Sequence, residues 1–367
     1  MMNNRNWGIE GMKVFSMLLI VILHIFIHSD LILSPTPTVL EKNVYYLGQS
    51  ICMCGVKCYA IITGYLCLDS KFRISRILNL WLIVLFYSVG IMLIDLICGS
   101  YGLDAEDILT CIFPMSMIHY WYFTEYFRLF VIIPILNFVV NKLSKKQLLV
   151  VLISLLLLGL CMASYIQHGY HFVWLAILYL FGAYIKRYPI QLNKVKKIIL
   201  VFLYVGAIVL TWLQVSDVIQ LFGVRLLQYT SPTIFTVALI LLILFSQLQV
   251  PNRIRNVVGW MAKRSFAVYL IHTHMVIWDL IIANSLVAFN SQTMGVKGLI
   301  ASSIVVMIFM CGCVIDECRE RLWKRLRIQE RLNGLDNYLS DNVSEIPLFI
   351  KLKQVLDVKD GERHDME

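Results

Sequence analysis

The stretch Lys13-Val-Phe-Ser-Met-Leu-Leu-Ile-Val-Ile-Leu-His24-Ile-Phe-Ile-His28 decides how the chain is read. Its apolar run is long enough to begin a membrane-crossing helix and lacks a small-residue cleavage site, so it is expected to persist as a span. A helix rising about 1.5 Å per residue sets His24 about 16 Å from Lys13, about half of a hydrocarbon core. Their eleven-residue spacing is close to three whole turns, so Lys13 and His24 share a face and His28 continues the stripe. Imidazoles inside an apolar helix, with a cation at its mouth, are costly to keep, and ionisable groups at membrane depth are functional candidates. The plainer reading has each histidine bonded to a neighbouring helix and doing nothing else.

The rest of the chain agrees with a membrane setting. Of 367 residues, 59% are hydrophobic and 15% charged, where a soluble protein carries about 25% charged residues. Mean hydropathy is +0.75. Apolar segments near 13–33, 44–67, 76–98, 119–141, 147–165, 171–187, 197–215, 231–249, 264–288 and 296–315 predict an all-α polytopic protein of about ten transmembrane helices. Seventeen cations fall in segments that lie inside if the N-terminus does, against Lys42, Arg225 and Lys297 in the outer loops, which predicts that both termini are cytoplasmic. The net charge of +9 is spread between spans rather than gathered on one face, so nucleic acid is not an expected partner.

Residues 1–315 are therefore expected to form one transmembrane domain. Arg319, Arg321, Lys324, Arg325, Arg327 and Arg331, interleaved with Leu322, Trp323 and Leu326, predict a basic amphipathic helix over 316–335 on the anionic inner leaflet, followed by a polar cytoplasmic tail, 336–367. Most of the ten cysteines lie in spans and read as packing residues; Cys98 and Cys111 flank an outer loop at a spacing open to pairing.

Candidate chemistry gathers in a few places. In the fourth span, Glu125 and Arg128 stand three residues apart, either as a self-neutralising pair or with Glu125 orienting a histidine and Arg128 holding an anion. Trp121 and Tyr122 lie near the outer interface, where an aromatic belt and a sugar-stacking surface look alike. Lys57 is expected to face the bundle interior, and His272 is a third histidine at depth. Lys71, Arg73 and Arg76 bring cations to the inner face, as positive-inside topology demands and as a multi-phosphate ligand would also require. His24 and His28, four apart, make half of a metal site without an identifiable third ligand, so no metal is expected. There is no nucleotide-binding glycine loop and no nucleophile elbow.

Four motifs in order resemble the membrane-bound acyltransferase family three, whose bacterial members O-acylate glycans. They are Arg5-Asn6…Ile9-Glu10…Lys13…His24; Gly55-Val56…Tyr59…Thr63-Gly64-Tyr65 with Phe86-Tyr87-Ser88; Tyr120-Trp121-Tyr122-Phe123-Thr124…Pro134-Ile135-Leu136-Asn137; and Phe266…Tyr269…His272. The third is similar to the subgroup acting on capsular and other surface polysaccharides. Lys13 departs from the family's arginine, keeping the charge and losing the bidentate fork. Lys57 and Arg128 replace uncharged residues, and Glu125 falls at a variable position.

The resemblance implies acyl transfer, acetyl first among the candidates, from cytosolic acetyl-CoA to a hydroxyl of a cell-surface or lipid-linked glycan at a bacterial inner (plasma) membrane. His24 is then the expected base or transient acyl carrier, with Lys13 beside it in the catalytic set. Lys13, Arg73 and Arg76 are expected at the donor's phosphates, with His28, Trp121, Tyr122, Glu125, Arg128 and His272 on the acceptor side. A transporter of a small polar solute or lipid-linked sugar is the alternative on the same fold, because the membrane domain of vancomycin-resistance serine racemases, an uptake module, is similar to this family. A catalytically silent scaffold of a polysaccharide-assembly complex is a third reading.

Overall fold

A computed structural model describes residues 5–28, 31–70, 73–220, 225–283 and 286–343; side-chain burial is described as far as residue 338. Among these residues the chain is helical, with no strand. The helices are α1 (Trp7–His28), α2 (Val39–Cys52), α3 (Gly55–Cys67), α4 (Ile74–Cys98), α5 (Ala105–Ile112), α6 (Trp121–Lys142) and α7 (Lys145–Cys161). They continue with α8 (Phe172–Arg187), α9 (Lys194–Val215), α10 (Pro232–Ser246), α11 (Asn252–His272), the single turn α12 (Met275–Ile277), α13 (Met294–Arg325) and α14 (Ile328–Val343). Each of the ten expected segments holds a helix. Among the described residues, six spans qualify by length and composition to cross a membrane, with α2 and α3 counted as one, and up to seven if α11 and the bent segment after it are counted as another.

Local sequence signals set several helix starts. Thr38 with Glu41, Asp104 with Asp107, and Ser144 with Gln147 close reciprocal capping boxes at α2, α5 and α7. Glu41 has a second partner that no local rule reveals. The fully buried Lys297 of α13 donates to it at 2.5 Å and to the Ile32 carbonyl at 3.1 Å, so the expected outer-loop cation is instead a clamp between distant segments.

α1 is the packing hub, touching α2, α3, α10, α11 and α13. α3 and α8 approach each other closely along their length. A Cβ built on Gly64 would overlap the Tyr179 carbonyl, and one on Gly182 would overlap the Ile61 carbonyl. Glycine is what lets these two backbones meet. Asn137 of α6 locks the same junction, donating to the Cys67 carbonyl at 2.9 Å and accepting from the Tyr179 hydroxyl at 2.6 Å.

The chain after residue 315 differs from the expected amphipathic helix over 316–335. The helix of the last segment runs unbroken to Arg325, and α14 begins only at Ile328. Asp316 and Arg319 are buried as a pair at 2.6 Å, with the Tyr87 hydroxyl donating to Asp316 at 2.7 Å. Arg264 ties Glu317 and Glu320 to α11, and Asp336 caps α4 by accepting from the Ser75 backbone and hydroxyl. Of the cations that suggested a leaflet-bound helix, Arg319 is drawn into a buried pair, while Arg321 and Lys324 stay exposed beside Glu317 and Glu320. No disulfide forms either: Cys98 is exposed, whereas Cys111 is buried beside His274.

Candidate active site

α1 presents Met17, Ile20 and His24 on one side, at spacings of three and four, and these residues line a narrow cleft of about 30 Å³. Val56 and Tyr59 from α3, Trp121 and Tyr122 from α6, and Phe266 and Tyr269 from α11 complete its wall. Continuing the α1 stripe by one turn reaches Lys13, whose carbonyl accepts from the Tyr59 hydroxyl at 2.8 Å. The cleft is thus apolar along its length, with His24 and tyrosine hydroxyls as its polar groups.

The histidines are ordered by a fixed acceptor. His272 is fully buried, and its Nδ1 lies 2.6 Å from the Val268 carbonyl, which only accepts, so that nitrogen carries the proton. The other ring nitrogen, Nε2, is then the acceptor for His24 Nδ1–H at 3.0 Å. This assignment, made from the partners, leaves Nε2 of His24 unprotonated on a ring that lines the cleft. Carbonyl, imidazole and imidazole form a neutral relay in which His272 holds the tautomer of His24. A packing histidine needs one bond; this one has its second nitrogen kept available.

Trp278 covers the pair. Its ring meets His24 edge-on at 5.0 Å and His28 at 4.8 Å between centroids. It opens a widened π-helical turn, Trp278–Ala283, after the 75° bend that follows α11. Tyr101, in the loop after α4, gives a hydrogen bond to Asp279, and that bond pushes its phenol up to about 12, anchoring the turn that carries Trp278.

Two aromatic groups form the opposite wall. Trp121 packs with Tyr170 at 4.6 Å and Tyr229 at 5.9 Å, and Tyr122 stacks on Tyr126 at 5.9 Å. The Tyr122 hydroxyl is buried and has no hydrogen-bond partner among the described residues. Behind this wall the buried ammonium of Lys57 sits 4.5 Å over the Tyr229 ring, again with no hydrogen-bond partner among the described residues.

The structure therefore gathers His24, His272, Trp121 and Tyr122 around one cleft, with His28 beside it. It places Glu125 and Arg128 elsewhere. Glu125 bonds Arg128 at 2.5 Å and accepts from the Phe172 N–H at 2.7 Å, so it caps α8 and orients no histidine. Lys13 lies at the far end of the stripe, 3.1 Å from Glu10, which also pairs with Arg5 at 2.8 Å. Arg73 and Arg76 are exposed at the start of α4, and Lys71 lies outside the described residues. Arg76 and Lys13 converge on the Cys67 end of α3, both within electrostatic reach of its thiol. Tyr59 and Phe266 had a signal, since both stand in the quoted motifs; Trp278 had none, because the bend before it breaks every helical period.

An apolar cleft lined by one oriented imidazole, in a bundle several of whose helices are long and apolar enough to cross a membrane, could move a proton at an apolar site. A family model described as an acyltransferase domain matches residues 6–315. The chain belongs to that family, acyltransferase family 3. Neither a curated protein nor a solved structure matches it.

Replacing His272 with glutamine is expected to lower turnover by about 10- to 100-fold while leaving KM for the donor little changed, because His24 would then be free to adopt the wrong tautomer. Steady-state kinetics on purified protein checks this, and an unchanged kcat would remove His272 from the relay.

Proposed function

We propose that the protein transfers an acyl group, acetyl in the first instance, from a cytosolic acyl-CoA to a hydroxyl of a cell-surface or lipid-linked glycan. The observation that carries this reading is the oriented His24 imidazole in a cleft whose α1 stripe leads to a cationic end. In this reading all ten helical segments cross the membrane and both termini are cytoplasmic. Lys13, Arg5, Arg73 and Arg76 then lie on the donor's side. Two cations share the single Glu10 carboxylate there, so a net positive charge remains for the donor's phosphates. The three turns between Lys13 and His24 suit a donor whose phosphates and thioester stand at opposite ends of an extended arm. Lys13 accordingly serves the phosphates rather than the reacting carbonyl.

The chemistry balances with two side chains at the centre. Nε2 of His24 takes the proton of the acceptor hydroxyl as its oxygen attacks the thioester carbonyl. The tetrahedral oxyanion is received by the unpartnered Tyr122 hydroxyl. The carbon–sulfur bond then breaks, and the departing CoA thiolate takes the proton back from His24. Trp121 offers the acceptor sugar a stacking face, and His28, packed on Trp278, stands one turn beyond His24 on the acceptor side. An unpaired buried hydroxyl costs about 1–3 kcal/mol, which gives Tyr122 a reason to be there that packing does not. Tyr122→Phe keeps the ring and removes the donor, and it is expected to lower kcat by about 100- to 1000-fold. Assay of acyl transfer to an extracted glycan acceptor tests this; a phenylalanine variant with wild-type kcat would leave the oxyanion without its proposed donor.

A further inference from the structure

Outside the cleft, three metal-seeking side chains meet where no local pattern predicts it. Cys111 comes from α5, His119 from the turn before α6, and His274 from the break between α11 and α12. One donor atom of each lies within 4.8 Å of the others. Cys111 Sγ is 3.6 Å from His274 Nε2, and the His119 and His274 rings are 4.8 Å apart between centroids. Cys111 and His274 are fully buried. His119 Nε2 is also buried and has no hydrogen-bond partner among the described residues.

We propose that Cys111, His119 and His274 hold a zinc-class divalent ion that pins the α11–α12 break to α5 and α6. One thiolate with two imidazoles is a borderline-soft donor set, suited to tetrahedral zinc and poor for magnesium or calcium. Donors around tetrahedral zinc stand about 3.3–3.8 Å apart, given bonds of about 2.0–2.3 Å. The present spread exceeds that by about 1 Å, within reach of side-chain rotation.

Binding moves two protons. The Cys111 thiol releases one to solvent and becomes the ligand. His274 shifts its ring proton, because Nε2 now faces the Ser88 carbonyl at 3.1 Å while Nδ1 accepts from Val276 N–H at 3.3 Å. Coordination through Nε2 puts that proton on Nδ1 and exchanges both bonds for one to the metal. The bend next to His272 and Trp278 is then fixed by the ion rather than by two hydrogen bonds.

The test uses the full chain in detergent, loaded with zinc or cobalt(II) and desalted, with metal content measured by mass spectrometry. Wild type is expected to keep a single equivalent and, with cobalt, to show a thiolate-to-metal charge-transfer band. Cys111→Ser should lose the band and the metal, while Cys98→Ser, which alters an exposed cysteine, should keep both. His119→Gln breaks no hydrogen bond to Nε2 among the described residues, and it should weaken retention by about tenfold or more while the protein still elutes as a single folded species. Zinc should also raise the unfolding temperature of wild type and not of Cys111→Ser. Equal metal content in wild type and Cys111→Ser, or none in either, overturns the proposal.

Discussion

Replacing His24 with alanine is expected to lower acyl transfer by about 10²–10⁴-fold while the protein stays inserted at normal abundance. The loss is expected because Nε2 of His24 is the proposed base, and among the described residues no other imidazole lines the cleft. Alanine also leaves Nε2 of His272 without its donor, at a cost of about 1–3 kcal/mol. His24→Asn therefore belongs beside it, since an amide N–H can replace the bond to His272 without supplying a base. Both variants should be inactive, with asparagine closer to wild type in thermal stability. The checks are initial rates on quantified protein and O-acyl content of the host's surface glycan. Normal abundance with a normal rate would end the role given to His24.

The second large effect is on the fold. Gly64→Val or Gly182→Val drives a side chain into the facing backbone carbonyl across the α3–α8 junction, and a backbone cannot step aside as a side chain can. The helices must part, at about 3 kcal/mol or more, taking Val56 and Tyr59 of the cleft with α3. Gly206→Val is the control, because a Cβ there meets nothing. Size-exclusion profiles of detergent extracts should show the control as a single species and the two junction variants aggregated or absent. Monodisperse junction variants at wild-type yield would show that the contact yields without cost.

What the sequence disclosed follows from the range of each interaction. Hydropathy placed each of its ten segments on a helix, and the eleven-residue interval put His24 and Lys13 on one stripe of α1, with Met17 and Ile20 of that stripe in the cleft wall. Capping boxes at Thr38, Asp104 and Ser144 are also local and legible. Pairings between distant segments were not. Glu125 reads as a functional carboxylate until Phe172 is seen to donate to it, and Lys297 reads as a loop cation until Glu41 encloses it. The break at Met53–Cys54 divides the span that carries Lys57 into α2 and α3, and no proline announces it. His272 stood in a motif, but its role as the partner of His24 depends on α1 and α11 packing side by side.

The central claim is that a donor thioester reaches His24 along the α1 stripe. The most direct measurement is release of CoA from radiolabelled acetyl-CoA by purified protein without acceptor, water taking the place of the sugar hydroxyl. The account predicts slow release by wild type and none by His24→Ala, with both proteins binding the donor. Binding and release by neither protein would contradict it, and would shift the same buried polar groups to solute transport.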